Sequence, residues 1–209
     1  MHTDTRRTFL RRAGITGLVI TIGDALLPLG QFMPAAAQEE DSSLDPAAML
    51  DFLREFELAL VGVYERAIGG GLVTSTKGQA ALNAFVAHHR AHADALASAG
   101  ARTSRPGERL INALADRLGA RGDETGVLAF IYDLETGSAA THLYASGIVE
   151  GRQAISRIAD ILPVESAHAV ALGDILGRSA DAVMPAFQTE EGRADPALYA
   201  EQEEGEEEE

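Results

Sequence analysis

The sequence predicts an all-α protein, a four-helix bundle with one long crossover between its second and third long helices. Three observations predict it. Alanine and leucine dominate the apolar residues, and valine–isoleucine runs of strand length are rare, a composition that favours helix. Four long segments carry apolar residues at three- and four-residue spacing and close on glycine. Of the three connections between those segments, two are short and one is long.

In chain order, the first segment is not part of the fold. Residues 5–12 read Thr-Arg-Arg-Thr-Phe-Leu-Arg-Arg, a mildly apolar stretch runs from Ala13 to Leu29, and Pro34-Ala35-Ala36-Ala37-Gln38 follows. A basic region, an apolar region and a small-residue cleavage site make a secretory leader. The paired arginines before Phe9-Leu10 resemble the twin-arginine export signal of bacteria. The expected leader is 1–37, cut after Ala37, and 38–45 is a polar linker. The apolar region is broken by Asp24 and falls short of a membrane span, so no stable span is expected after cleavage. Losing the leader's four arginines and two aspartates takes the formal charge from −15 to −17.

The domain is expected over 46–184. Its first helix runs from Pro46 to Ile68, with Asp45 as N-cap, proline in the first turn and Gly69-Gly70-Gly71 as the stop. The second runs from Thr76 to Ala99, the third from Glu124 to Ser146 and the fourth from Arg152 to Leu176, each followed by glycine. Pro163 removes one backbone hydrogen bond from the fourth and is expected to kink it. The connection from Gly100 to Asp123 carries a short helix over Glu108 to Leu118. Residues 185–209 turn polar, end in a glutamate run and read as a disordered acidic tail.

Composition narrows the chemistry. The 209-residue chain is 46% hydrophobic, enough for a core. It has no cysteine, which excludes disulfides, thiolate metal sites and cysteine nucleophiles. A net charge of −15 repels nucleic acid, so no such partner is expected. Ser98 and Ser166 lack the sharp turn that a serine nucleophile needs.

The informative residues are charged groups on apolar helix faces. Glu57 lies among Leu53, Leu60 and Val61, Glu135 beside Ile131 and Tyr132, Glu165 beside Ile161 and Leu162, and His89 beside Phe85 and Val86. An ionised carboxylate buried alone there would cost several kcal/mol. Glu165 and His168 form Glu-x-x-His, while His89 and His92 form His-x-x-His at the same spacing. Glu57 precedes His89 by 32 residues and Glu135 precedes Glu165 by 30. Two helix hairpins thus each offer one carboxylate and one x-x-His pair, aimed at a common centre if the bundle is antiparallel. Tyr64 and His142 each follow a single glutamate by seven residues.

This constellation resembles the ferritin-like di-iron and di-manganese carboxylate proteins, which place glutamate on helices one and three and Glu-x-x-His on helices two and four. The local text is also similar to the exported ferritin-like branch. The resemblance covers about Pro46 to Gly177 and implies six metal ligands: Glu57, His89, His92, Glu135, Glu165 and His168. One departs from the pattern, since His89 stands where the family has a glutamate. Two divalent ions bring four positive charges and three glutamates cancel only three, so either a hydroxide or oxo bridge completes the balance or a single ion binds. His88 and His142 are the candidate substitutes.

The resemblance implies two iron ions first, with manganese, zinc or copper open, and oxidase or peroxide-type redox chemistry in which Tyr64 or Tyr132 supplies an electron. The expected partners are metal ions and the twin-arginine export machinery, with a homodimer open, and the expected location is periplasmic or extracellular. The competing reading is a metal-free ferritin-like bundle, an envelope structural or stress-related binding protein, in which the same Glu and His residues form a hydrogen-bond network.

Overall fold

The computed structural model describes residues 45–199. These form seven helices: α1 (Pro46–Gly69), α2 (Thr76–Ser98), α3 (Glu108–Gly119), α4 (Glu124–Ser146), α5 (Arg152–Ile175), α6 (Ala180–Val183) and α7 (Pro196–Tyr199). No strand occurs among the described residues, and the all-α bundle expected from the sequence is what forms. The expected leader, most of the expected linker and the terminal glutamate run lie outside the described residues. No described helix is long and apolar enough to cross a membrane.

Local chemistry sets the helix ends. Asp45 accepts from the amide of Ala47, and Pro46 occupies the first turn of α1, where its missing N–H is no loss. Ser75 caps α2 through the Gly78 amide, and Asp123 caps α4 through the Gly126 amide. Gly71 (φ +67°) and Gly177 (φ +69°) adopt the left-handed conformation that ends α1 and α5 cheaply only for glycine. Helix α5 continues through Pro163 as one element.

The four long helices close a square in which α1 neighbours α2, α2 neighbours α5, α5 neighbours α4 and α4 neighbours α1. The two hairpins, α1–α2 and α4–α5, turn over short loops. The crossover joins α2 to α4 across the diagonal, which explains its length, and its helix α3 packs on α1. The crossover's start is pinned to α1. The Arg102 amide and guanidinium both bond Asp51, and the Thr103 hydroxyl donates to the Asp51 carbonyl at 3.1 Å.

Helix α4 is apolar on nearly every face, and such a helix must be covered all round. Part of its cover comes from 178–194. Arg178 lies 3.8 Å from the centre of the Tyr132 ring and Arg193 lies 4.2 Å from that of Tyr144. The buried Ala194 donates its amide to Thr141 Oγ1 at 2.9 Å. Val183 packs on Gly173 of α5. Segment 178–194 is thus a strap held near both ends, while its residues 185–191, within the stretch expected as tail, are exposed.

Candidate metal centre

Each wall of the square sends its polar residues inward from the middle of a helix. Glu57 comes from α1, His89 and His92 from α2, Glu135 from α4, and Glu165 and His168 from α5. Glu57, His89, Glu135 and Glu165 are 0% exposed, His168 is 3% and His92 is 9%. The structure brings all six residues into one cluster.

His89 sits at its centre. Its Nδ1 lies 2.7 Å from Glu57 Oε2 and its Nε2 lies 3.2 Å from Glu135 Oε1. Glu135 Oε1 also accepts from the Tyr64 hydroxyl at 2.8 Å, and Glu135 Oε2 lies 3.2 Å from His168 Nδ1. Glu165 reaches His92 Nδ1 at 2.8 Å and His89 Nδ1 at 3.7 Å, yet neither of its oxygens is aligned with a hydrogen-bond partner. Two donor groups result, Glu57–His89–His92–Glu165 and His89–Glu135–Glu165–His168. Within each, one ligand atom per residue lies within 4.8 Å of the others. His89 and Glu165 belong to both.

A family model, the ferritin-like domain, matches residues 39–178, more than half of the chain. The chain belongs to the ferritin-like domain family. No curated protein and no solved structure is significantly similar to the chain.

The electrostatics of this ferritin-like domain follow from burial opposed by close partners. Burial disfavours the Glu57 carboxylate, but the His89 charge and contacts from His89 and His92 outweigh it and hold the pKa at about 2. Glu135 is likewise held well below the carboxylate range by His89 and His168 against its burial. Burial lowers His89, and the surrounding Glu165, Glu135 and Glu57 raise it far more. For Glu165, burial and the neighbouring Glu57 charge both act upward, to about 8. Burial opposes the charged form of His92, but Glu165 and Glu57 bring it to about 9. Glu165 Oε1 and His92 Nδ1 lie 2.8 Å apart, so the two titrate as a unit. Protons thus stand where a cation would neutralise the carboxylates.

The leftover polar atoms test whether a metal fits. Glu57 Oε1, both Glu165 oxygens, His92 Nδ1 and His142 Nε2 are buried without a hydrogen-bond partner. Each such atom costs about 1–3 kcal/mol, and natural cores rarely keep several together. Carboxylate and imidazole donors converging in a dry core suit a divalent transition ion. The donor set fits a metal.

Three neighbours complete the surroundings. Tyr64 is fully buried and bonded to Glu135. His142 is fully buried, with Nε2 3.3 Å from Glu57 Oε1. The exposed His88 reaches in with Nδ1 2.8 Å from His168 Nε2, its ring stacked on that of His168. Tyr132, expected beside the site as an electron source, instead turns its hydroxyl to the Ala182 carbonyl of the strap at 3.3 Å, with Arg178 over its ring. Helical spacing puts Tyr132 three residues before Glu135, but the approach of 178–183 to that side of α4 is not legible in a local pattern.

Proposed function

We propose that this chain is an exported metal-binding ferritin-like protein whose core holds two metal ions, iron first, for oxidase or peroxide-type redox chemistry. One observation carries the reading. Glu165 is fully buried with both carboxylate oxygens unpartnered, and it is shared by the two donor groups. A bridging ligand has that placement.

Glu57 and His92 would hold one ion and Glu135 and His168 the other, with Glu165 and His89 between them. Bound iron would supply one-electron redox capacity toward dioxygen or peroxide. The chain's own residues do the rest. The Tyr64 hydroxyl fixes the rotamer of Glu135, and the Phe85 ring, stacked 4.0 Å from that of His168, keeps water from that side. His88 bonds His168 Nε2, which leaves Nδ1 as the inward-facing nitrogen. With His89 in place of a glutamate, the imidazole-rich set also suits zinc or copper.

A metal-free structural bundle is the second reading, and it has its own observation. His89 spans Glu57 and Glu135 with both ring nitrogens, so part of the network closes without a metal. Metal analysis of the purified exported protein, beside Glu57→Ala and Glu165→Ala, separates the two readings. About two ions per chain, lost in both folded variants, supports the metal centre. No metal, even after anaerobic iron loading, leaves the structural network.

Export is supported by the arginine pair and the small-residue cleavage site of residues 1–37. Replacing Arg6 and Arg7 by lysine should leave an uncleaved precursor in the cytoplasm. Unchanged processing of that variant would end the twin-arginine reading.

A further inference from the structure

We propose that His142 is a metal ligand on the Glu57 side of the cluster, so that the two halves of the centre are unequal. This inference rests on the metal-centre reading above.

The His142 ring is fully buried on α4, two helical turns beyond Glu135. Its Nδ1 lies 2.9 Å from the Ser138 carbonyl oxygen. A carbonyl oxygen only accepts, so Nδ1 carries a proton and donates it. The coordinating nitrogen is then Nε2, the one that faces the cluster. Histidine ligands are commonly oriented in this way, with the outer N–H tied to a backbone carbonyl or carboxylate.

Nε2 lies 3.3 Å from Glu57 Oε1, but the two are not aligned as a hydrogen bond, and neither has another partner. On the same side, His92 Nδ1 and Glu165 Oε1 approach to 2.8 Å and are also unpartnered. The opposite side differs. Both oxygens of Glu135 are engaged, Oε1 by Tyr64 and His89 and Oε2 by His168. The unsatisfied atoms therefore gather around Glu57: His142 Nε2 faces its Oε1, and His92 Nδ1 lies 3.4 Å from its Oε2. With His142 added, imidazole outweighs carboxylate on this side, a ligand balance that suits a divalent ion of borderline softness such as zinc, cobalt or copper.

The test strips the purified protein of metal and titrates it with zinc alone against a chromogenic chelator. Copper(II) loading follows, with electron paramagnetic resonance counting the coupled nitrogens. The proteins are wild type, His142→Leu (similar in volume, no donor), His142→Gln (a weak amide donor at the same reach) and His168→Ala. The expected result is zinc affinity at least about tenfold weaker in both His142 variants, with one coupled nitrogen fewer. His168→Ala should keep the tight ion, and metal-free melting temperatures of wild type and the His142 variants should coincide. His142 variants that bind zinc as wild type does, with the same nitrogen count, overturn this inference and leave the metal centre standing. The inference also fails, with the metal centre intact, if both variants lose as much melting temperature without metal as with it. A wild-type protein that takes up neither zinc nor copper overturns the inference, and uptake of iron alone by that protein would still preserve the metal-centre reading.

Discussion

The Tyr64 hydroxyl donates to Glu135 Oε1 at 2.8 Å, and both residues are completely buried. The bond links α1 to α4 inside the cluster and holds the carboxylate that faces His89 and His168. The Tyr64 proton is tightly held, since burial and the Glu135 charge beside it both push its pKa well above the usual value. Tyr64→Phe removes the hydroxyl and little volume. A hydrogen bond to a charged group contributes about 1.5–3 kcal/mol, so urea unfolding should show a loss of that order. An unchanged midpoint would mean that the bond contributes nothing net.

Glu165 predicts a trade between stability and binding. Its unpartnered, fully buried oxygens burden the metal-free protein. Glu165→Leu replaces them with apolar contact. Its metal-free melting temperature should equal or exceed that of wild type while metal uptake is lost. A variant that melts several degrees lower would show that Glu165 is structural.

The strap depends on a missing side chain. A Cβ on Gly173 would lie 2.3 Å from Val183 Cγ1 and 3.1 Å from Val183 Cβ, both on a stiff residue. Gly173→Ala should therefore dislodge α6, at a cost of about 1–3 kcal/mol, and speed proteolysis within 178–194. Adding Val183→Ala should restore most of the resistance. Equal cleavage of Gly173→Ala and wild type would contradict this packing.

Glu124 sets a pH dependence at the bundle's end. Its carboxylate accepts from the Ser75 amide and from the Thr74 amide and hydroxyl, tying the α1–α2 loop to the start of α4. Bonds from Ser75 and Thr74 hold its pKa at about 2, against an ordinary 4.5. A depressed carboxylate stabilises above its unfolded pKa, and the stabilisation is lost as pH falls through the folded one. Wild type should melt above Glu124→Gln at pH 7, and the gap should close between about pH 4.5 and pH 2. A gap that stays constant down to pH 2 would assign the effect to shape rather than charge.

Much of this molecule is legible in its sequence because helices announce themselves locally. Apolar spacing, Asp45 before Pro46, and glycines at helix ends depend on neighbours within one turn, and the observed bounds fall within a residue of those expected. The candidate ligands are legible for the same reason. A carboxylate or imidazole on an apolar face is buried once its helix is packed, so Glu57, His89, Glu135, Glu165 and His168 stand out before any contact is known.

Periodicity says which face of its own helix a side chain occupies. It does not say what lies opposite. Packing between helices places His142 Nε2 against Glu57, leaves Glu165 without hydrogen-bond partners, and separates Tyr64 at the cluster from Tyr132 beneath Arg178. The strap was hidden likewise. Only its part from Pro185 onward reads as tail, and its anchors are single contacts to α4 and α5, such as Ala194 to Thr141 and Val183 to Gly173. Local spacing suffices for the helices and for the residues they must bury. Which atoms meet is a matter of long-range packing, because it depends on side-chain directions and on segments dozens of residues apart.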